Sequence, residues 1–298
     1  MRHYIFFPTL FLVLFFTSFF TSLVAAADSK SLFWQLQDQQ GKKHYIFGTI
    51  HSDDNRVSNF DPSVNDALKE VDIFSSEIDE VTDPSVLQLD QNIYPDYLTD
   101  TELDKIKLLA DFHTIPESLA FKMKPWLLAV ILNSSRPITP FNQDNLLKTQ
   151  ARDFSKPTKG IESIKQHFDT LDSFTIQQQM SILKNVLALS EDDKIKNYES
   201  LISAYLSFDS EKILEEDLRI TKLIVPRELW NEFKDKFLIS RNIFFVKKII
   251  ELAKGNKLFI AVGASHLAGE SGLLNQLSKS GFNLIPMDSL IIGNQVSQ

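Results

Sequence analysis

Two stretches near opposite ends of the 298-residue chain follow one pattern. "YIFGTIH" (45–51) and "LFIAVGASH" (258–266) each run apolar, stop at a glycine and place a histidine three residues later. Around each, the order reads strand, Gly-x-x-His, loop, helix, strand. A unit repeated in this way constrains the fold more than any other feature, because two such units can pair about a pseudo-two-fold axis. Gly48-Thr49-Ile50-His51 and Gly263-Ala264-Ser265-His266 would then leave the same edge of one sheet.

The flanking sequence supports the elements of each unit. "SLFWQLQDQQGKKHYIFGTIH" alternates apolar and polar residues, turns at Gln40-Gly41 and enters a second apolar run, the pattern of a hairpin. Phe33 and Leu36 mark its first strand and Tyr45 to Phe47 its second. Asp61 before Pro62 predicts a helix start, since the carboxylate caps free amides and proline suits the first turn. Val64, Leu68 and Val71 give that helix an apolar face, and Ile73, Phe74 and Ile78 read as the strand after it. At the far end, a helix near Gly272 to Lys279 and a strand near Asn283 to Ile285 follow His266.

Between the two units, from about residue 83 to 254, helical periodicity dominates, as in Leu103, Ile106 and Leu109. Strand candidates are few. The expected class is therefore α/β (α+β): duplicated halves forming one central sheet, with a large helical insert. No linker rich in Pro, Gly or Ser divides the chain, so residues 28–298 read as a single domain.

The first 27 residues read as a secretory signal: Arg2 and His3, an apolar run to Val24, then Ala25-Ala26-Ala27. Such a run is also long enough to anchor the chain in a bilayer if it stays uncleaved. The expected location is secreted or periplasmic, with membrane attachment only through this segment. The net charge is −8, and losing the leader, which carries Arg2 and no acid, makes it −9. That balance argues against nucleic acid as a partner. There is no cysteine, which excludes a disulfide scaffold and a thiolate nucleophile or ligand.

A histidine just past a strand end would stand at the sheet's carboxyl edge, where open α/β sheets bind ligands. Taken singly, such a histidine is more often a hydrogen-bonded structural residue; two in matching contexts point to a site. Glu77, at the end of the strand after the first helix, would complete two imidazoles into a two-His, one-carboxylate metal set with open positions for water and substrate. The bland reading of Glu77 is a solvated strand end, as for Asp79 and Glu80. His-Glu-x-x-His, Gly-x-Ser-x-Gly and the phosphate-binding Gly-x-x-x-x-Gly-Lys are all absent. His44, His113 and His167 have no partner by spacing and read as surface or helix-face residues. Asn133-Ser134-Ser135 fits a glycosylation acceptor.

These residues, together with "IFSSEID", "KMKPWLLAVIL" (Pro125, Trp126), "KGIESIKQ" (Gly160, Glu162) and "ISRNIFFVKKI" (Arg241, Asn242), resemble the TraB/PrgY/GumN family, to which the Tiki proteases belong. The resemblance runs from about Ser31 to Asp288. It implies duplicated β/α halves around one sheet and, as in Tiki-like members, a divalent metal, manganese or cobalt with zinc as the alternative, on His51, Glu77 and His266. Glu162 and Arg241 would be neighbours in the cleft. Their bland readings are a helix-surface pair of Glu162 with Lys165 and a loop buttress of Arg241 with Asn242. Trp126 reads as core and Pro125 as starting or kinking a helix.

The expected function is an exported metal-dependent hydrolase, a Tiki-like peptidase acting on a peptide or protein substrate. Catalysis is expected from Glu77, Glu162 and Arg241, the arginine polarising the carbonyl or binding a carboxylate. The alternative is a non-catalytic protein that sequesters a peptide or small ligand in the same cleft, as the pheromone-shutdown branch of the family suggests. A third reading makes both histidines caps of the sheet edge and the helical insert the working surface.

Overall fold

The computed structural model describes residues 30–79, 83–139 and 141–290; the signal expected at residues 1–27 lies outside the described residues. Six strands form one sheet: β1 (Phe33–Gln37), β2 (Lys43–Thr49), β3 (Ile73–Ile78), β4 (Thr158–Glu162), β5 (Leu258–Gly263) and β6 (Asn283–Met287), in the order β4-β3-β5-β2-β1-β6. β4, β3, β5 and β2 run parallel, and β1 lies antiparallel between β2 and β6. The β1–β2 hairpin forms as its alternation predicts. Its turn uses Gly41 at φ +78°, where a side chain would be strained, and Asp38 Oδ1 accepts from the amides of Gln40 and Lys42.

The two repeated units sit side by side at the centre. β2 pairs with β5 so that Gly48 faces Val262 and Thr49 faces Gly263, which brings both Gly-x-x-His segments out of the same carboxyl edge. From β2 the chain passes through α1 (Pro62–Glu70) to β3, beyond β5; from β5 it passes through α12 (Leu273–Lys279) to β6, beyond β2 and β1. The two crossovers run in opposite directions along the sheet, so the right-handed rule assigns α1 and α12 to opposite faces; α1 packs with the helix Gln143–Asp153 and α12 with the helix Ser240–Ala253. Asp61 caps α1 as expected, its side chain accepting from Ser63 N. With both faces covered, β2 and β5 are buried almost throughout rather than alternately, as central parallel strands are.

The long middle is not wholly helical. It supplies β4, at the sheet's edge, a strand that no apolar alternation announces. It also supplies α2 (Asp100–Phe112), α3 (Glu117–Ala120), α4 (Pro125–Asn133), α5 (Gln143–Asp153), α6 (Ile164–Asp172), α7 (Ile176–Ala188), α8 (Glu191–Tyr205), α9 (Ser210–Ile224), α10 (Trp230–Lys234) and α11 (Ser240–Ala253). Leu147 and Ala151 of α5, Tyr205 of α8 and Phe245 and Ile249 of α11 join the sheet core. A second core gathers α2, α3, α4 and α7 around Ile106, Leu128 and Leu183. Trp126 is buried, as expected, and of the two readings of Pro125 the structure has the helix start, since it is the first residue of α4.

Candidate functional site

Four neighbouring strand ends converge at the carboxyl edge. β4 ends in Glu162, β3 carries Glu77 one residue from its end, β5 ends in Gly263 and β2 in Thr49. His266 follows Gly263 on a single 3-10 turn, Ala264–His266, and His51 follows Thr49. Opposite them, a five-residue π-helical turn, Asp235–Ile239, leads into α11 with Arg241 and Asn242 near its start. The extra residue of a π turn rotates the helix beyond it, and here the first turn so rotated carries the arginine.

The two glycines of the repeat serve different ends. A Cβ on Gly48 would lie 2.6 Å from Leu267 Cδ1 and 3.1 Å from Ala264 Cα. The first motif therefore needs glycine so that the second can pack against it. Gly263 has no such crowding, the nearest atom to its added Cβ being Glu77 Oε1 at 3.4 Å, but its N–H donates to that oxygen at 2.8 Å.

Arg241 is the hub. Its Nη2 donates to Glu77 Oε2 and its Nε to Glu162 Oε1, both at 2.7 Å, and its Nη1 lies 3.4 Å from His266 Nε2. The face of its guanidinium rests on Phe245, 4.9 Å from the ring centre. Burial alone would push the Glu77 carboxyl up, but the charge of Arg241, with the Gly263 amide, outweighs it and holds Glu77 well below the usual carboxylate range. Glu162, which is 4% exposed, is likewise held low against its burial by His167 and Arg241. Two carboxylates and one guanidinium thus stay charged together because each satisfies the other.

His266 is 7% exposed. Its Nδ1 lies 2.6 Å from Asn242 Oδ1, an acceptor, so Nδ1 carries the proton and Nε2 is left bare, 3.8 Å from Glu77 Oε1. Burial, with Arg241 alongside, depresses its pKa to about 4 despite the pull of Glu77, which keeps the ring neutral. The loop is fastened from behind by α9: Ser265 Oγ donates to Asp217 Oδ2 at 2.6 Å and Gly269 N to Glu211 Oε1 at 2.8 Å.

His51 is different. Its side chain is 83% exposed, with Asp144 Oδ2 3.6 Å from Nδ1, and that carboxylate raises its pKa. Asn142 Nδ2 lies within 3.2 Å of its ring nitrogens. Asp144 in turn accepts from Thr49 Oγ1 at 2.8 Å, and Gln143 Oε1 accepts from Ile50 N at 2.8 Å, so the start of α5 fixes the first motif as α9 fixes the second. His51, Glu77, Asp144, His167 and Gly263 line one cavity of about 430 Å³; His266 lies behind Glu77.

The expected site residues are therefore neighbours, but not as a closed metal shell. Among the described residues, no group of three or more His, Asp or Glu side chains is spaced to hold a metal ion. His266 Nε2 stands 3.8 Å from Glu77 Oε1, and the positive Arg241 guanidinium lies against both side chains. The donors themselves fit a divalent ion in kind: a bare imidazole nitrogen held through Nδ1 by an amide, an ionised carboxylate, and a second imidazole across the cavity.

Several residues stand elsewhere than their sequence context suggests. Glu162 is not on a helix surface with Lys165, which pairs with Asp169 instead; it ends β4. His44 and His113 are buried, not on the surface. Asp79 is more than a solvated strand end, since it accepts from Gly160 N at 2.6 Å. His167, expected on a helix face, opens on the site cavity and contacts Glu162. The signal for it was its spacing: five residues past a strand-ending glutamate, one turn into a helix whose capping box, Ser163 with Gln166, is plain in the sequence.

A family model described as the TraB/PrgY/gumN family matches residues 32–286. "Metalloprotease TIKI1" of Xenopus tropicalis is 23% identical, the match covering 97% of this chain and 70% of the relative. An uncharacterized protein of Treponema pallidum (strain Nichols) is 22% identical over 92% of this chain and 90% of its own length. "Metalloprotease TIKI1" of Danio rerio is 20% identical, with 87% of this chain covering 63% of it. No solved structure matches significantly.

Proposed function

This chain belongs to the TraB/PrgY/gumN family, and from that premise we propose that it is an exported metal-dependent peptidase acting at the carboxyl edge of the sheet. What supports this most is one side chain. Glu77 is held ionised between the Gly263 amide and the Arg241 guanidinium, with the bare Nε2 of His266 at 3.8 Å and the cavity of His51 in front of it. Relatives named metalloproteases favour peptide bonds as the target.

In this proposal His51, Glu77 and His266 hold a divalent ion, manganese or cobalt. When bound, such an ion supplies Lewis acidity that brings the pKa of water toward neutrality. The chain's own groups do the rest. Asn242 keeps His266 in the tautomer whose Nε2 can donate a lone pair. Asp144 and Asn142 orient His51. Arg241 keeps Glu77 and Glu162 charged, and of the two hydrogens on its Nη1, one faces His266 Nε2 and the other is left to polarise a substrate carbonyl. The cavity takes a few residues of an extended peptide, in the size range of small-molecule sites.

The test is direct. Protein lacking residues 1–27, stripped with chelator, should lose cleavage of a mixed-sequence peptide library and regain it with manganese or cobalt. His51→Ala and His266→Ala should each reduce the metal retained after dialysis. Wild-type protein that stays metal-free after incubation with manganese, cobalt and zinc would overturn the proposal.

The insertion of Arg241 into the donor set favours one other reading, a protein that binds a peptide or small anion without turning it over. On that reading His51→Ala and His266→Ala would leave ligand affinity unchanged.

A further inference from the structure

Early in α6, five residues beyond Glu162, stands an imidazole that the two-His, one-Glu set does not use. The His167 side chain is 21% exposed and lines the same cavity as His51 and Glu77. Its Nδ1 lies 3.3 Å from Glu162 Oε2 and 3.4 Å from Arg241 Nη2. Only one of these can be its hydrogen-bond partner. Arg241 Nη2 has two hydrogens, one of them given to Glu77, so it does not decide the choice; Glu162 does, because its Oε1 accepts from Arg241 Nε and its Oε2 does not. Oε2 of this buried carboxylate has no other donor among the described residues, and an unpaired buried oxygen is costly. Nδ1–H is therefore the donor, and Nε2, on the far side of the ring, carries the lone pair with no protein partner among those residues.

A buried carboxylate on Nδ1–H with Nε2 open is how hydrolases fix an imidazole that moves protons. The helix that carries it is also held firmly. Phe168 stacks on Trp126 at 5.7 Å, and Trp126 Nε1 donates to Asp172 Oδ1 at 2.8 Å.

We propose that His167, oriented by Glu162, is the acid–base group of this site. The proposal rests on reading the cavity as a peptidase. Nε2 takes a proton from water as the water oxygen bonds to the scissile carbonyl carbon. The C–N bond then breaks, its electron pair stays on nitrogen, and Nε2–H returns the proton to that nitrogen. One water is consumed, an acid and an amine leave, and the imidazole ends neutral as it began. Glu162 holds the ring and keeps its negative charge throughout.

Two measurements test it. In metal-free protein labelled with 15N-histidine, the spectrum assigned by its loss in His167→Gln should show the Nδ1–H tautomer, and Glu162→Gln should abolish that preference. An Nε2–H tautomer in the wild type overturns the inference whatever the activity. The second measurement uses the best-cleaved sequence from the peptide library and the p-nitrophenyl ester of its acyl half, whose leaving group needs no proton. His167→Gln, checked for fold by circular dichroism, should lower kcat on the amide by about 10²–10⁴-fold and on the ester by at least about tenfold less, because the ester loses only the proton abstraction from water. Equal losses on both, or no loss on the amide, would overturn the acid–base role alone. Loss of retained metal in His167→Gln would also overturn it, by making the ring a ligand. Wild-type protein that cleaves neither substrate would overturn the peptidase reading, and this inference with it.

Discussion

Arg241 shows how much one side chain can organise. It reaches Glu77, 164 positions away in sequence, and Glu162, 79 away, and its planar fork serves both at once. A lysine cannot reproduce that geometry with a single ammonium. Arg241→Lys should keep the fold but lose one of the two carboxylate contacts. Arg241→Met should be far worse, because it leaves two carboxylates facing each other without a cation. Breaking a buried pair in this way costs about 3–5 kcal/mol, to be read as a lower urea midpoint at unchanged slope. A methionine variant as stable as the lysine one would mean that Glu77 and Glu162 do not depend on Arg241 for their charge.

The two Gly-x-x-His segments look alike as text and differ as packing. Gly48 is where the second motif presses on the first strand; Gly263 is where an amide reaches a carboxylate. Gly48→Ala must push on the Ala264 backbone, and overpacking of this kind costs about 1–3 kcal/mol. Each kcal/mol should lower the melting temperature by about 2–4 °C in a domain of this size. Gly263→Ala meets nothing closer than 3.4 Å and should melt nearer to the wild type. Equal melting temperatures for the two variants would contradict this difference in packing. The hairpin, the Asp61 cap and the strand before Gly263 were legible because alternation and capping are short-range signals. β4 was not: in Thr158–Glu162 only Ile161 is a large apolar residue, and the segment becomes a strand because β3 offers it a parallel edge. Glu162 was consequently legible as a motif residue but not as a strand end.

The whole chain carries histidines in two separate interiors. His44, whose Nδ1 accepts from Leu258 N in the sheet, and His113, buried at the end of α2, both have pKa values lowered chiefly by burial; for His44 this outweighs the opposing pull of Asp38. Each is neutral in the folded protein and takes up a proton more readily once unfolded. The unfolded state therefore binds more protons as pH falls below about 6.5, and stability declines from there downward through the folded-state values. Denaturant midpoints measured between pH 8 and pH 5 should fall with acidity. His113→Leu should flatten that fall, since it removes one titrating group from the interior. An equal fall in the wild type and in His113→Leu would show that this ring does not change its protonation on unfolding.

Local sequence specifies where strands stop, where helices start and that two matching histidine motifs exist, because backbone turns, caps and apolar period act over a few residues. Which charges meet is another matter. Glu77, Glu162, Arg241 and His266 come from four distant segments, and His167 joins them only because α6 leaves the strand end at one angle. Ionic and hydrogen-bond energies depend on separation in space, which no spacing along the chain encodes. The sheet's strand order settled it by setting β4, β3, β5 and β2 side by side.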